Sequence, residues 1–132
     1  MIKSALDTNI LVYGHCGDKH KQQIGDALIE NTPVISSQVI SEYLNVMKRI
    51  SKMSKSDLLK MCTEWLKDCQ VQPISLSTIK LAHDLVQRYE FQLFDSIIVA
   101  SALEAECDIL YSEDLHHGLK VEDKLTILNP FV

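Results

Sequence analysis

A chain of 132 residues suits one domain, and its 46% hydrophobic residues suffice for a sizeable core. Four glycines and three prolines argue against disorder and long linkers, and no apolar run approaches the roughly 20 residues that cross a bilayer. A net charge of −5 and 6% aromatic residues exclude capture of nucleic acid by an overall basic field or a rich stacking platform, so a polyanion would need local basic patches or bound cations.

Residues 2–6 are a short apolar run stopped abruptly by Asp7-Thr8-Asn9, as a buried strand would be. ILVYGH follows, as a helix start or an irregular connection. Residues 19–31 have the spacing of an amphipathic helix, with Ile24, Ala27 and Leu28 on one face. TPVIS (32–36) reads as a second strand, after which Ser36 or Ser37 caps a helix to about Ile50. Ser54 or Ser56 caps the next helix, which carries Leu58, Cys62 and Trp65. VQPIS (71–75) is a third strand, and Ser77 starts a helix bearing Ile79, Ala82 and Leu85. Asp95 opens an Ala-rich helix to about Glu106, then DILYS (108–112) and LTILN (125–129) supply a fourth and fifth strand. Residues 113–124 are the one long polar connection. The alternation predicts a single α/β domain over 1–132, with a mainly parallel twisted sheet of four or five strands and helices on both faces.

Four acids stand out by position. Asp7 ends the first strand, Asp114 follows the fourth, Asp95 lies at a helix mouth, and Glu42 borders an apolar helix stripe. Ligands of open α/β sheets bind outside the carboxyl ends of the strands, so these four can converge on one cleft. Converging carboxylates repel one another, and a hard divalent cation, Mg²⁺ or Mn²⁺, offsets that cost and reverses the local field. Singly, each acid has a plainer explanation. Asp95 could be an N-cap, Asp7 a turn residue, Glu42 a solvated side chain and Asp114 loop decoration.

The local motifs resemble the PIN-domain family, and within it the VapC-type toxins of bacterial toxin–antitoxin pairs. The resemblance rests on LDTNILVY (6–13), SSQVISEYLNV (36–46), FDSIIVASAL (94–103) and LYSEDL (110–115), in the family's order. It implies a three-layer α/β/α fold and an acidic centre of Asp7, Glu42, Asp95 and Asp114, supported by Asn9 and Ser112. The Ser-x-Asp pattern near the last acid is met by Ser112-Glu113-Asp114, where Glu113 is an extra acid able to replace Asp114 as a ligand. The implied activity is a Mg²⁺- or Mn²⁺-dependent endoribonuclease hydrolysing RNA with a metal-activated water. The implied partners are a second copy of the chain and an antitoxin that places a basic side chain near the acids. A catalytically vestigial protein-binding module of the same fold is the alternative. A phosphoryl-accepting receiver domain is disfavoured, because SALDTN offers a single acid.

Lys48, Arg49, Lys52, Lys55 and Lys60 are either the solvated faces of two helices or a phosphate track, with Lys48, Arg49 and Lys52 the candidate RNA contacts. Cys16, Cys62, Cys69 and Cys107 form no C-x-x-C pair, and His15, His20, His116 and His117 lack the partners of a zinc site. The opening MIKSALDTN is too short and too quickly acidic for a secretory leader. Reduced thiols in a cytoplasmic protein are expected.

Overall fold

The computed structural model describes residues 2–132. In chain order the elements are β1 (Ser4–Leu6), α1 (Thr8–Cys16), α2 (Lys19–Glu30), β2 (Val34–Ser36), α3 (Ser37–Ile50) and α4 (Lys55–Leu66). They continue with β3 (Gln70–Gln72), α5 (Leu76–Arg88), α6 (Leu93–Glu104), β4 (Ile109–Tyr111), β5 (Lys120–Val121) and β6 (Leu125–Leu128). The sheet runs β3-β2-β1-β4-β6-β5, parallel throughout except for β5 against β6. It is the expected α/β architecture with six strands instead of four or five.

That strand order has one reversal. The chain leaves β1 toward β2 and β3, then returns through α5 and α6 to place β4 on the other side of β1. The crevice between the carboxyl ends of β1 and β4 is therefore the switch point, where two diverging connections leave an opening. Asp7 immediately follows β1, and Ser112 to Asp114 immediately follow β4. The Asp7 N–H donates to the Tyr111 carbonyl at 2.9 Å, which extends the ladder to the edge of this crevice.

The core centres on Leu6, Ile35, Leu110 and Ile127, all at most 1% exposed. Helix α6 is buried nearly all round from Ser96 to Ala102, which is why its sequence is apolar on every face. Helices α1 and α2 cross backbone to backbone at two glycines. A Cβ on Gly25 would stand 2.8 Å from Gly14 Cα and 2.9 Å from the Ile10 carbonyl oxygen, so no larger residue fits without moving α1. All four cysteines are free, and burial pushes the Cys69 and Cys107 thiols up to about 11.

Several boundaries move. ILVYGH belongs to a full helix, α1, capped by Asp7. Strand β3 ends before Pro73, which has no N–H for a ladder, and Ser75 rather than Ser77 caps α5. Strand β5 lies inside the polar connection. It is turned back onto β6 through Glu122 and Asp123, both at positive φ, with Lys124 N–H donating to the Val121 carbonyl at 3.0 Å. Among the described residues no helix is long and apolar enough to cross a membrane.

Candidate active site

Asp7, Glu42, Asp95 and Asp114 border one cavity of about 310 Å³, together with Thr8, Asn9 and Tyr13. Asp7 is its floor. The residue is 5% exposed and caps α1, taking the Thr8 N–H at 2.7 Å on one oxygen and the Ser112 hydroxyl at 2.7 Å on the other. Burial nonetheless raises its carboxyl to about 6. The Ser112 and Thr8 donors pull it down, while the charges of Asp95 and Glu42 add to the rise. Asp95 is shifted upward too, by burial first and then by Glu42 and Asp114.

The supporting residues act through geometry. The Ser112 hydroxyl is fully buried; it donates to Asp7 and accepts the N–H groups of Asp114 and Leu115 at 3.3 Å each. Asn9 clamps the same turn from α1: its Nδ2 donates to Asp114 Oδ2 at 3.1 Å, and its Oδ1 accepts the Glu113 N–H at 3.2 Å. On α3, Glu42 accepts from Gln38 Nε2 at 3.0 Å and from the Thr8 hydroxyl at 3.4 Å. Asp95 does not cap its helix. The cap is Gln92, and Asp95 sits in the first turn.

Residues 5–119 match the sequence profile of the PIN domain. The chain belongs to the PIN-domain family. Solved structures similar to this PIN domain include a toxin–antitoxin complex from Klebsiella pneumoniae (21% identity, TM-score 0.73, covering 97% of this chain and 98% of that one). VapBC2 from Rickettsia felis, bound to a DNA fragment from its promoter, gives 20% identity, a TM-score of 0.66, and coverage of 98% and 100%. VapC20 from Mycobacterium tuberculosis, a toxin that cleaves the sarcin-ricin loop, gives 13% identity, a TM-score of 0.65, and coverage of 85% and 92%. At these identities the likeness establishes the fold. No curated protein sequence gives a significant match.

In this PIN domain the four acids share a cleft, yet among the described residues no three His, Cys, Asp or Glu side chains stand together in a ligating arrangement. Protein donors hold Asp7, Glu42 and Asp114. Glu113, the extra acid, does not border the cavity. It turns away to Lys21 Nζ and the Tyr13 hydroxyl, each at 2.6 Å, and these two donors hold its carboxyl below the usual range. Asp114 is thus the acid that this turn presents to the cleft. Lys48, Arg49 and Lys52 do not border it either. Lys48 lines a separate groove between α3 and α4, whereas Arg49 lies two helical turns beyond Glu42 on the same α3 face.

Thr8, Tyr13 and Lys21 were not singled out by sequence. Thr8 lies within the DTN motif and could have been found there. Lys21 meets Glu113 across 92 residues and carries no local signal.

Proposed function

We propose that this chain is a divalent-cation-dependent endoribonuclease and the toxin of a toxin–antitoxin pair, with Asp7, Glu42, Asp95 and Asp114 as the acids that hold Mg²⁺ or Mn²⁺. The observation that carries this reading is the cost of the cleft. A carboxyl at 5% exposure, already given two hydrogen bonds, is still pushed up to about 6 with three more acids around the same space. Burial of that charge is expensive without a cation, and an all-oxygen donor set fits a hard divalent one.

A divalent cation held here supplies Lewis-acid chemistry, neutralising phosphate charge and making water easier to deprotonate. The chain's own residues prepare that state. Ser112 and the Thr8 N–H fix both Asp7 oxygens, and Asn9 fixes the turn that presents Asp114. The Asp95 side chain makes no hydrogen bond among the described residues, so it can turn without giving up a donor. Arg49 is the best placed of the three basic candidates to meet a flanking phosphate, with Lys48 and Lys52 farther round the helix and its end. The toxin–antitoxin complexes among the structural relatives support an antitoxin partner. Exposed Leu59, which lines the α3–α4 groove, and exposed Ile50, at the end of α3, favour pairing with a second copy. Such an enzyme would act in the cytoplasm.

Purified protein should cleave single-stranded RNA with Mn²⁺ or Mg²⁺, and both Asp7→Asn and Asp95→Asn should lower the rate by orders of magnitude while remaining folded. An Asp95→Asn protein as active as wild type would remove Asp95 from the site. Wild type inactive on every RNA tried would favour the binding-module alternative.

A further inference from the structure

A second cavity, of about 360 Å³, opens beside the acid cleft, and Asp95 and Asp114 border both. Its other wall is aromatic. The rings of Tyr89 and Phe91 lie 5.5 Å apart, centroid to centroid, with their planes tilted by 32°. Tyr89 is fixed in place, because its hydroxyl donates to Glu122 Oε2 at 3.0 Å and accepts the Glu122 N–H at 3.0 Å. Arg88 engages the same carboxylate. Glu90, Gln92 and His116 also line it, with Leu115 and Leu119, and the Gln92 side chain makes no cap bond to its own helix, α6. Of the other aromatic residues, Tyr43 packs on Trp65 and Tyr13 on Phe131, while Phe94 is exposed.

Resting on the nuclease reading above, we infer that this cavity seats one nucleobase of a single-stranded substrate, next to the phosphate that meets the acids. A base is flat and uncharged, so it tolerates a lining that contains Glu90, Asp95 and Asp114, where a second phosphate would be repelled. Any base presents a π-face to Phe91 and Tyr89, and an amide such as that of Gln92 offers both a donor and an acceptor to a base edge. In a chain of net charge −5 such stacking supplies affinity that does not depend on a basic field.

The test is binding of a fluorescent single-stranded hexaribonucleotide to the full chain, followed by anisotropy in Ca²⁺, with melting curves and Mn²⁺ cleavage kinetics measured alongside. Phe91→Leu keeps the apolar bulk but loses the ring, and should weaken binding about tenfold and raise KM with kcat little changed. Phe91→Trp should restore both, which a mere packing role would not predict. Gln92 is exposed, so Gln92→Ala probes the same seat without touching the core and should weaken binding several-fold. Unchanged affinity in both Phe91→Leu and Gln92→Ala, or no RNA binding by wild type, overturns the base seat. Wild type that cleaves RNA with a KM indifferent to Phe91 overturns the seat and leaves the nuclease reading standing. Phe91-dependent binding without any cleavage supports the seat and overturns the nuclease reading.

Discussion

The floor of the acid cleft and the rim just outside it each contain a glutamate or aspartate from the same small network, and they are shifted in opposite directions. Asp7, on the floor, has hydrogen-bond donors but no cationic partner among the described residues, and its carboxyl rises to about 6. Glu113, on the rim, has the Lys21 ammonium at 2.6 Å and the Tyr13 hydroxyl at 2.6 Å, and its carboxyl falls below the usual range. The Ser112 hydroxyl donates to the Asp7 carboxylate and the Asn9 amide oxygen accepts the Glu113 N–H, so the two acids are joined mechanically while differing in charge compensation. Charge is thus settled within the chain at Glu113 and left open at Asp7. The rim carries its own cation, and the floor has none among the described residues.

The largest expected effect comes from removing the open charge. Asp7→Asn should reduce RNA cleavage by at least a hundredfold, yet stabilise the metal-free protein. Because the folded carboxyl lies near 6 and the ordinary value is 3.8, the native state binds a proton more tightly than the unfolded chain. Metal-free stability should therefore fall as pH rises from about 4 to 6 and stay lower above that, by about 3 kcal/mol. Asp7→Asn should flatten that part of the profile; urea unfolding in EDTA at several pH values measures it, and an unchanged profile would mean that Asp7 is no less solvated than an ordinary carboxylate. Next comes Ser112→Ala, which strips a donor from Asp7 and an acceptor from two backbone N–H groups. It should cost about 2 kcal/mol and lower cleavage ~10- to 100-fold, both read from the same unfolding and rate assays.

Gly25→Ala touches neither wall directly. It should destabilise by about 1–3 kcal/mol by pushing on α1, the helix that Asp7 caps and that carries Asn9. Calorimetric melting checks this, and a neutral result would show that α1 and α2 can separate freely. The smallest effect belongs to the rim. Glu113→Gln should shift the melting temperature less than Ser112→Ala and leave cleavage within a few-fold, since its ion pair is partly solvated and outside the cavity. A collapse of activity in Glu113→Gln would break the division between floor and rim.

Much of the floor was legible in the sequence. Abrupt polar stops after short apolar runs placed Asp7 and Asp114 at strand ends, and strand–helix alternation placed those ends on one side of a parallel sheet. Position also singled out Glu42 and Asp95, and the family motifs added Asn9 and Ser112. The rim was less legible. Lys21 and Glu113 are far apart in sequence, and only the packing of α1 against α2 brings Lys21 to the β4 turn. Strand β5 was missed because its two residues sit in a polar stretch and its turn uses Glu122-Asp123 at positive φ, where Asn-Gly would have announced a hairpin. The basic run at 48–60 suggested a phosphate track from composition alone, but helix geometry turns Lys48 into a different groove.

The most direct test of the central claim is the thermal melting of wild type and Asp7→Asn at pH 7.5, each with EDTA and with millimolar Mn²⁺. An ion that binds only the folded state raises the melting temperature, and it can do so only where its ligands remain. Mn²⁺ should raise the wild-type midpoint clearly, while Asp7→Asn should melt higher than wild type in EDTA and gain little from Mn²⁺. A wild type indifferent to Mn²⁺, or two proteins that respond to it equally, would contradict a cation site on the cleft floor.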